Sequence, residues 1–393
     1  MNNNADALVN HVFDDVIRWR RHIHANPDLS FHEKPTADYI HRELNAIPHL
    51  EITRPLENSV IATLKGKYVG PVQALRADID ALPLDEKSGV DFASTKPGIM
   101  HACGHDAHTA MLMGAIKILS GYQDRLHGTL KFIFQPAEEI PPGGAKQLVE
   151  MGIVDDVAQI FGLHVQPDLP VGTIVMKEGP YVASSDNFNI LIKGKGGHGS
   201  MPHTCVDPVV IGAEVVCALQ HIVARNTDPL LTPVLTVATF QAGDSYNVIP
   251  DSARLAGTLR THNNDVRQRV PGLVNRIVEG ITHAHGADCE IEWQSGYAPG
   301  FNHPQASQFA REQINAFFPA GTLQESQRPL FSSEDFSSYQ EKVPGCFIFI
   351  GCGNPEKGAI WNVHNPHFII DEEALKVGIK THLALASALI NGA

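Results

Sequence analysis

Residues 187–297 carry a hydrophobic pattern unlike that of the sequence on either side, and this change constrains the fold more tightly than any other feature of the chain. In Asn187–Lys195 (NFNILIKGK), Phe188, Ile190 and Ile192 alternate with other residues, the period of a half-buried strand. Asp207–Arg225 opens with Asp207-Pro208, a capping side chain followed by proline at the first helical position. Two further strand candidates, Val234–Phe240 and Ala253–Thr261, are joined by the turn-rich GDSYNVIPDS. Asp265–His285 places Val266, Val270, Leu273, Ile277 and Ile281 at helical spacing, with a kink expected at Pro271. Cys289, Ile291 and Trp293 alternate again. The order is β-α-β-β-α-β, the ferredoxin-like split unit.

The flanks read as α/β. Ser59–Lys65 and Val72–Arg76 are strand-like, and Leu130–Phe134, Ile160–Val165 and Cys346–Ile350 are short apolar runs of the buried-strand type. Asp106–Leu119 places Ala107, Ala110, Met111, Ala115 and Ile118 on one helical face, and Asp371–Leu389 is a helix with an acidic first turn. Strands alternating with helices predict an open sheet covered on both faces. The expected organisation is therefore one α/β domain from 1–186 plus 298–393, with an α+β domain, 187–297, inserted into it.

Composition excludes several classes. At 43% hydrophobic and 19% charged residues, the chain is not of the disordered type. A net charge of −13 leaves no basic face for nucleic acid. No run of about 18 consecutive apolar residues is present, and the N-terminal segment has no signal-type apolar core, so the expectation is a cytoplasmic protein without a membrane partner. The 6 cysteines are scattered without a CxxC pair, which fits a reducing compartment.

The densest chemical signal is Met100–His108, MHACGHDAH. Cys103 and His105 flank Gly104, so both can face one point from a turn, and the start of the following helix is expected to favour a thiolate. Glu138-Glu139 follows an apolar run and Pro136; one carboxylate can bind a metal while its neighbour takes a proton from water. Asp78 and Asp80, just past another strand, can share a face and orient a ligand imidazole. His164 ends IFGLH, and His364 lies in the loop WNVHNPHF. Cys103, His105, Glu139, His164 and His364 are more ligands than one tetrahedral zinc takes, and suit two metals sharing a bridging group.

These residues, with RRHIHANPDLSFHE, LRADIDALPL, FQPAEE, GKGGHGSMPH, NVIPD and SSEDFSSY, resemble the aminoacylase and hippurate hydrolase family, which includes auxin-conjugate hydrolases. The resemblance spans nearly the whole chain. It implies a three-layer αβα, zinc-peptidase-like catalytic domain with an inserted ferredoxin-like lid that dimerises, giving a homodimer or homotetramer. It implies two divalent metal ions, manganese or zinc, with nickel and cobalt as further options. The implied ligands are Cys103 (bridging), His105, Glu139, His164 and His364, with Glu138 as general base and Asp80 supporting from behind. His198 is implied to bind substrate or stabilise the oxyanion, within its own subunit or from a neighbour, and Asn247 and Arg260 to bind the substrate carboxylate. Three departures from the family pattern, Ile140-Pro141-Pro142, Gln166 and Ala107, bear on the acyl pocket.

The implied activity is hydrolysis of a small-molecule N-acyl-L-amino acid, hippurate-, N-acetyl- or indoleacetyl-like, to a carboxylic acid and a free amino acid. The alternatives are a metallo-exopeptidase acting on dipeptides or a C-terminal residue, and a deacetylase of N-acetyl-diaminopimelate or N-acetylcysteine. A metal-stabilised binding protein is the non-enzymatic alternative, and it has no use for Glu138 beside Glu139.

Overall fold

A computed structural model describes residues 2–391. The chain forms two compact units: one comprises residues up to Gly179, Phe301–Arg328 and everything described from Asp335 onward; the other comprises Pro180–Gly300 and Pro329–Glu334.

The first unit is built on eight strands: β1 (Leu50–Thr53), β2 (Val60–Lys65), β3 (Tyr68–Asp78), β4 (His127–Gln135), β5 (Val157–Pro170), β6 (Ile174–Met176), β15 (Leu323–Glu325) and β16 (Gly345–Gly353). Their order is β1-β2-β4-β3-β5-β16-β6-β15. At the centre, β3 runs parallel to β4 and β5, and β5 parallel to β16. Its helices are α1 (Ala5–Ala25), α2 (Lys34–Asn45), α3 (His105–Ser120), α4 (Gly144–Glu150), α7 (Pro304–Phe317), α8 (Ser337–Gln340) and α9 (Glu373–Asn391). Leu75, Phe132, Phe134, Phe161 and Ile348 from the strands join Val16, Met111, Ile116 and Ile379 from the helices in one apolar core.

The sequence reads α3 as a helix with one apolar face, but every residue of it except Lys117 is buried. It is packed between α1, α9 and the sheet, and small residues let the helices close: a Cβ on Gly114 would lie 2.7 Å from Val16 Cγ2. Such a helix reads poorly by periodicity, because it has no wet side.

Polar anchors set the N-terminal end of α3. Asp106 Oδ2 accepts from Arg20 Nε at 3.0 Å and lies 2.9 Å from His24 Nδ1. His24 Nε2 lies 3.0 Å from Glu86 Oε1. Burial favours the neutral ring of His24 and Arg20 repels a charge there, but Asp106 and Glu86 outweigh both and push its pKa up to about 9. The His101 ring lies 6.3 Å from that of His24, and Glu372 pairs with Arg20 at 2.8 Å. Because the folded pKa lies above the ordinary 6.5, this stabilisation is complete below 6.5 and is lost as pH rises through about 9. Denaturant unfolding across that window should show falling stability, and His24→Gln should flatten the fall; an unchanged slope in the variant would contradict the imidazolium.

In the second unit β8 (Asp186–Lys193), β10 (Val234–Gln241), β12 (Ser252–Arg260) and β13 (Asp288–Gln294) form an antiparallel sheet in the order β10-β12-β8-β13. Phe188, Ile190 and Ile192 pack with Ile211, Val215 and Leu219 of α5 (Pro208–Arg225) and Val266, Val270 and Val274 of α6 (Asn264–Ala284). This is the ferredoxin-like arrangement. Asp207 caps α5 by accepting from Val209 N, as the sequence indicates, and Pro271 lies inside α6, which stays assigned as one helix. The turn-rich linker carries a strand of its own, β11 (Val248–Ile249), paired with β9 (Gly197–His198). β7 (Gly179–Val182) and β14 (Gly300–Asn302) carry the chain across the two junctions. The second unit begins before residue 187 and also takes in Pro329–Glu334, a piece without periodic pattern. That segment is tied by backbone hydrogen bonds, Leu330 N–H to Tyr181 O and Ala183 N–H to Ser332 O, which leave no mark in the side chains.

Candidate metal centre

The register of the sheet decides where chemistry can sit. β3 and β4 end level, with Asp78 paired to Gln135. Arg76 pairs with Gly162, so His164, two residues further along β5, lies at the height of Asp78; it pairs in turn with Phe349 of β16. Asp80, Glu138 and Glu139 therefore emerge just past the carboxyl ends of β3 and β4, where open sheets hold ligands, and His164 lies level with them inside β5, which the sequence reading ended at this histidine but which runs on to Pro170.

Three left-handed residues shape the loops there. Gly104, at φ +89°, caps α3, and a Cβ would lie 2.4 Å from Val165 Cγ2. Glycine at this position lets Cys103 and His105 approach one point from opposite sides of the turn. Ala137 (φ 52°) and His364 (φ 62°) hold the same region without that freedom. Ala137 N–H is held by Glu33 Oε1 at 2.7 Å, and His364 N–H by Ala102 O at 2.7 Å.

The five expected ligands converge. Cys103, His105 and His164 bring one donor atom each within 4.8 Å of one another; so do Cys103, Glu139 and His364, and so do His105, Glu138 and Glu139. Cys103 belongs to the first two groups and therefore links them. Its Sγ lies 3.4 Å from His164 Nε2, and His364 Nε2 lies 3.2 Å from Glu139 Oε1.

Supporting contacts leave the correct nitrogen free on each ring. His105 Nδ1 gives its proton to Asp80 at 3.1 Å, and His164 Nδ1 gives its own to Val165 O at 2.7 Å. Both Nε2 lone pairs then face the cluster. His105 Nε2 is buried without a hydrogen-bond partner, a costly condition that a cation relieves. Burial favours a neutral His105, yet Asp78, Asp80 and Glu139 override it and push the ring up to about 10, so a cation binding at Nε2 would have to displace the proton that this field holds there. The same negative field attracts a divalent ion. Thiolate, imidazole and carboxylate donors together fit such ions.

Cys103 corrects one expectation. The start of α3 does not by itself yield a thiolate: burial first, then Glu139, Glu138 and Asp78, hold the thiol well above its usual range. A cation is needed to draw the proton off.

The structure adds His108, Arg76, Asp335 and Ser30, to which the sequence reading assigned no role. His108 Nε2 accepts from Val165 N–H at 2.9 Å, so its Nδ1 carries the proton shared with Asp78 at 2.6 Å. Asp78 also takes Arg76 Nη1 at 2.8 Å, and Arg76 Nη2 reaches Asp335 at 2.8 Å. Asp335 in turn receives Ala145 N–H at 3.0 Å. Asp80 Oδ2 accepts from Ser30 Oγ at 2.7 Å and from Glu139 N–H at 3.0 Å. His108 alone had a local signal, three residues after His105 on one helix face.

Within the second unit, His198 and Asn247 are neighbours. Val248 pairs with His198, and Gly199 N–H bonds to Asn247 O at 2.9 Å. His198 Nδ1 accepts from Ser200 N–H at 3.1 Å, which leaves Nε2–H as an exposed donor. Arg260 does not join them. It ends β12, whose other end, Ser252, pairs with Lys193 on the His198 side. Eight residue steps put Arg260 about 26 Å away along the strand. Burial lowers the pKa of its half-buried guanidinium, whose Nη1 lies 3.5 Å from Ser184 O.

Asp80→Ala should lower metal affinity by about 10–100-fold, since the imidazole it orients would turn and lose basicity. Competition against a chromogenic chelator measures this; wild-type affinity would show that the contact is incidental.

The sequence pattern of peptidase family M20/M25/M40 matches residues 74–388. An N-acyl-L-amino acid amidohydrolase of Geobacillus stearothermophilus is 49% identical, over 76% of this chain and 80% of its own. An N-acetylcysteine deacetylase of Bacillus subtilis is 43% identical, over 94% of this chain and 96% of its own. A solved Bacillus subtilis structure, described as a dinuclear metal binding peptidase from the M20 family, superposes with a TM-score of 0.83 at 39% identity, covering 97% of this chain and 99% of that one. With a metal-type donor cluster at the strand ends and a match over most of its length, the chain belongs to peptidase family M20/M25/M40.

Proposed function

We propose that this hydrolase cleaves the amide bond of N-acyl-L-amino acids to give a carboxylic acid and a free amino acid. The observation that carries the reading is a surplus carboxylate: Cys103, His105, Glu139, His164 and His364 make a sufficient ligand set, and Glu138 stands beside it, 6% exposed. The names of the amidohydrolase and deacetylase relatives support the same substrate class. In this reading the five residues hold two divalent cations, with Cys103 shared. Manganese or zinc fits the mixed donor set best, and nickel and cobalt are also compatible. Divalent ions bound there supply Lewis acidity that activates water and polarises the amide carbonyl.

The chain's own groups do the rest. Glu138 accepts the proton of the attacking water and delivers it to the departing amine. His198 Nε2–H is suited to meet the negative oxygen of the tetrahedral intermediate. Asn247 and Arg260 are suited to the substrate carboxylate. The six free cysteines fit a cytoplasmic setting.

Glu138→Gln should retain its metal yet lose roughly 10²–10⁴-fold in kcat. A panel of benzoyl-, acetyl- and indoleacetyl-amino acids beside free-amine dipeptides reads both the loss and the substrate class. Turnover close to wild type in the variant would remove Glu138 from the mechanism, and a preference for dipeptides would move the enzyme to the exopeptidases.

The second unit supports a homodimer. β10 is an edge strand with little burial, and α5 beside it exposes Val209 and Val210 at 39% and 60%. By length and mean hydropathy, 1.4, α5 could cross a bilayer, but one face of it lies on the sheet and the other suits a second copy. His198 and Asn247 at one end of the unit and Arg260 at the other cannot reach one small substrate from a single copy. We therefore assign His198, together with Asn247, to the neighbouring subunit's site. Mixing Glu138→Gln with His198→Ala, each poorly active alone, should restore activity in mixed dimers. Absence of complementation in verified mixed dimers would place His198 in its own subunit's site.

A further inference from the structure

The loop between α1 and α2 carries an acid that the chemistry above leaves unused. Glu33 is fully buried, at 0% exposure. Its Oε1 accepts two backbone N–H groups, Phe31 at 2.9 Å and Ala137 at 2.7 Å, and its Oε2 accepts Asn58 Nδ2 at 2.8 Å. Burial and the charge of Asp80 both disfavour a carboxylate here and push it up to about 7. An apolar side chain would fill the place at less cost, so what the acid contributes is its hydrogen bonds.

Those bonds fall where the backbone needs them. Ala137 sits in the left-handed region at φ 52°, which a Cβ disfavours. The two residues that follow are Glu138 and Glu139. A small rotation at Ala137 would swing Glu138 directly, whereas Glu139 keeps an anchor of its own, its N–H on Asp80 Oδ2 at 3.0 Å. The same loop grips the other side of the site, where Ser30 Oγ donates to Asp80 at 2.7 Å and Asp80 in turn accepts Glu139 N–H at 3.0 Å. One short stretch, Ser30–Glu33, thus braces the carboxylate behind His105 and the turn in front of Glu138.

We propose that Glu33 is a positioning residue for the hydrolysis: by holding Ala137 N–H it locks the left-handed turn that aims Glu138 at the reacting water. The inference rests on the reading of Glu138 as proton acceptor. Glutamine at position 33 keeps an oxygen for both backbone N–H groups, while alanine offers none. Glycine at position 137 holds the left-handed turn without a Cβ penalty. It should therefore offset the loss of Glu33, which no general packing role predicts.

The test compares kcat, KM, metal content and thermal midpoint for Glu33→Ala, Glu33→Gln, Glu138→Gln and the double variant Glu33→Ala/Ala137→Gly. Glu33→Ala should lose about 100-fold in kcat, the scale of a misplacement near 1 Å, with KM and metal content little changed. Glu33→Gln should stay close to wild type, and the double variant should recover most of the loss. Should Glu33→Ala fail to fold, Glu33→Asp reads the same split, because its shorter arm keeps the charge but falls short of Ala137. Wild-type kcat in the alanine or aspartate variant overturns the proposal. So does a loss that neither glutamine nor Ala137→Gly restores, since that pattern belongs to packing alone. An inactive Glu138→Gln beside a fully active Glu33→Ala refutes this inference only; an active Glu138→Gln refutes the reading on which it rests.

Discussion

Several carboxylates buried around one point repel one another, and most of the surrounding structure answers to that repulsion. Leaving such groups charged and unpaired in the interior costs several kcal/mol each. Arg76 offsets two of the acids, Asp78 and Asp335, with its side chain at 0% exposure. Asp80 is offset by His105, Ser30 and the backbone of Glu139. Burial alone would raise the pKa of Asp80, and these bonds hold it below the usual carboxylate value. Burial and the neighbouring carboxylates hold the Cys103 thiol protonated until a cation draws the proton off. Divalent binding is therefore built into the electrostatics of the site as well as its shape.

The chemistry was legible in the sequence where it is local. Cys103-Gly104-His105 is a turn read from three letters, and the φ of +89° at Gly104 is the reason those letters work. Glu138-Glu139 follows a strand that Pro136 must end. The ferredoxin-like order was legible because five of its six elements have one wet and one dry side. The supports were not legible, because they depend on pairings between distant segments: Glu33 with Ala137, Arg76 with Asp335, Ser30 with Asp80. Arg260 shows what residue type leaves open: position along β12 separates it from His198 and Asn247 within one copy, and no local pattern in the sequence carries that distance.

The sequence of events at the site follows from which groups are fixed and which are exposed. His105, Asp80 and His108 are buried to 1% or less, so their orientation is set before substrate arrives. The side chain of His364 is 52% exposed, although its loop is tied to Ala102 O by the His364 N–H and to Lys87 by Pro366 O and His367 Nδ1. The imidazole of His105 thus belongs to the core of the first unit, and that of His364 to its surface.

Anomalous diffraction from crystals of the metal-loaded enzyme tests the central claim, a thiolate shared by two cations, most directly. The account predicts two peaks about 3.5–4 Å apart with Cys103 Sγ between them. One ion set by His105 and Glu139, with Cys103 outside its coordination sphere, would contradict it.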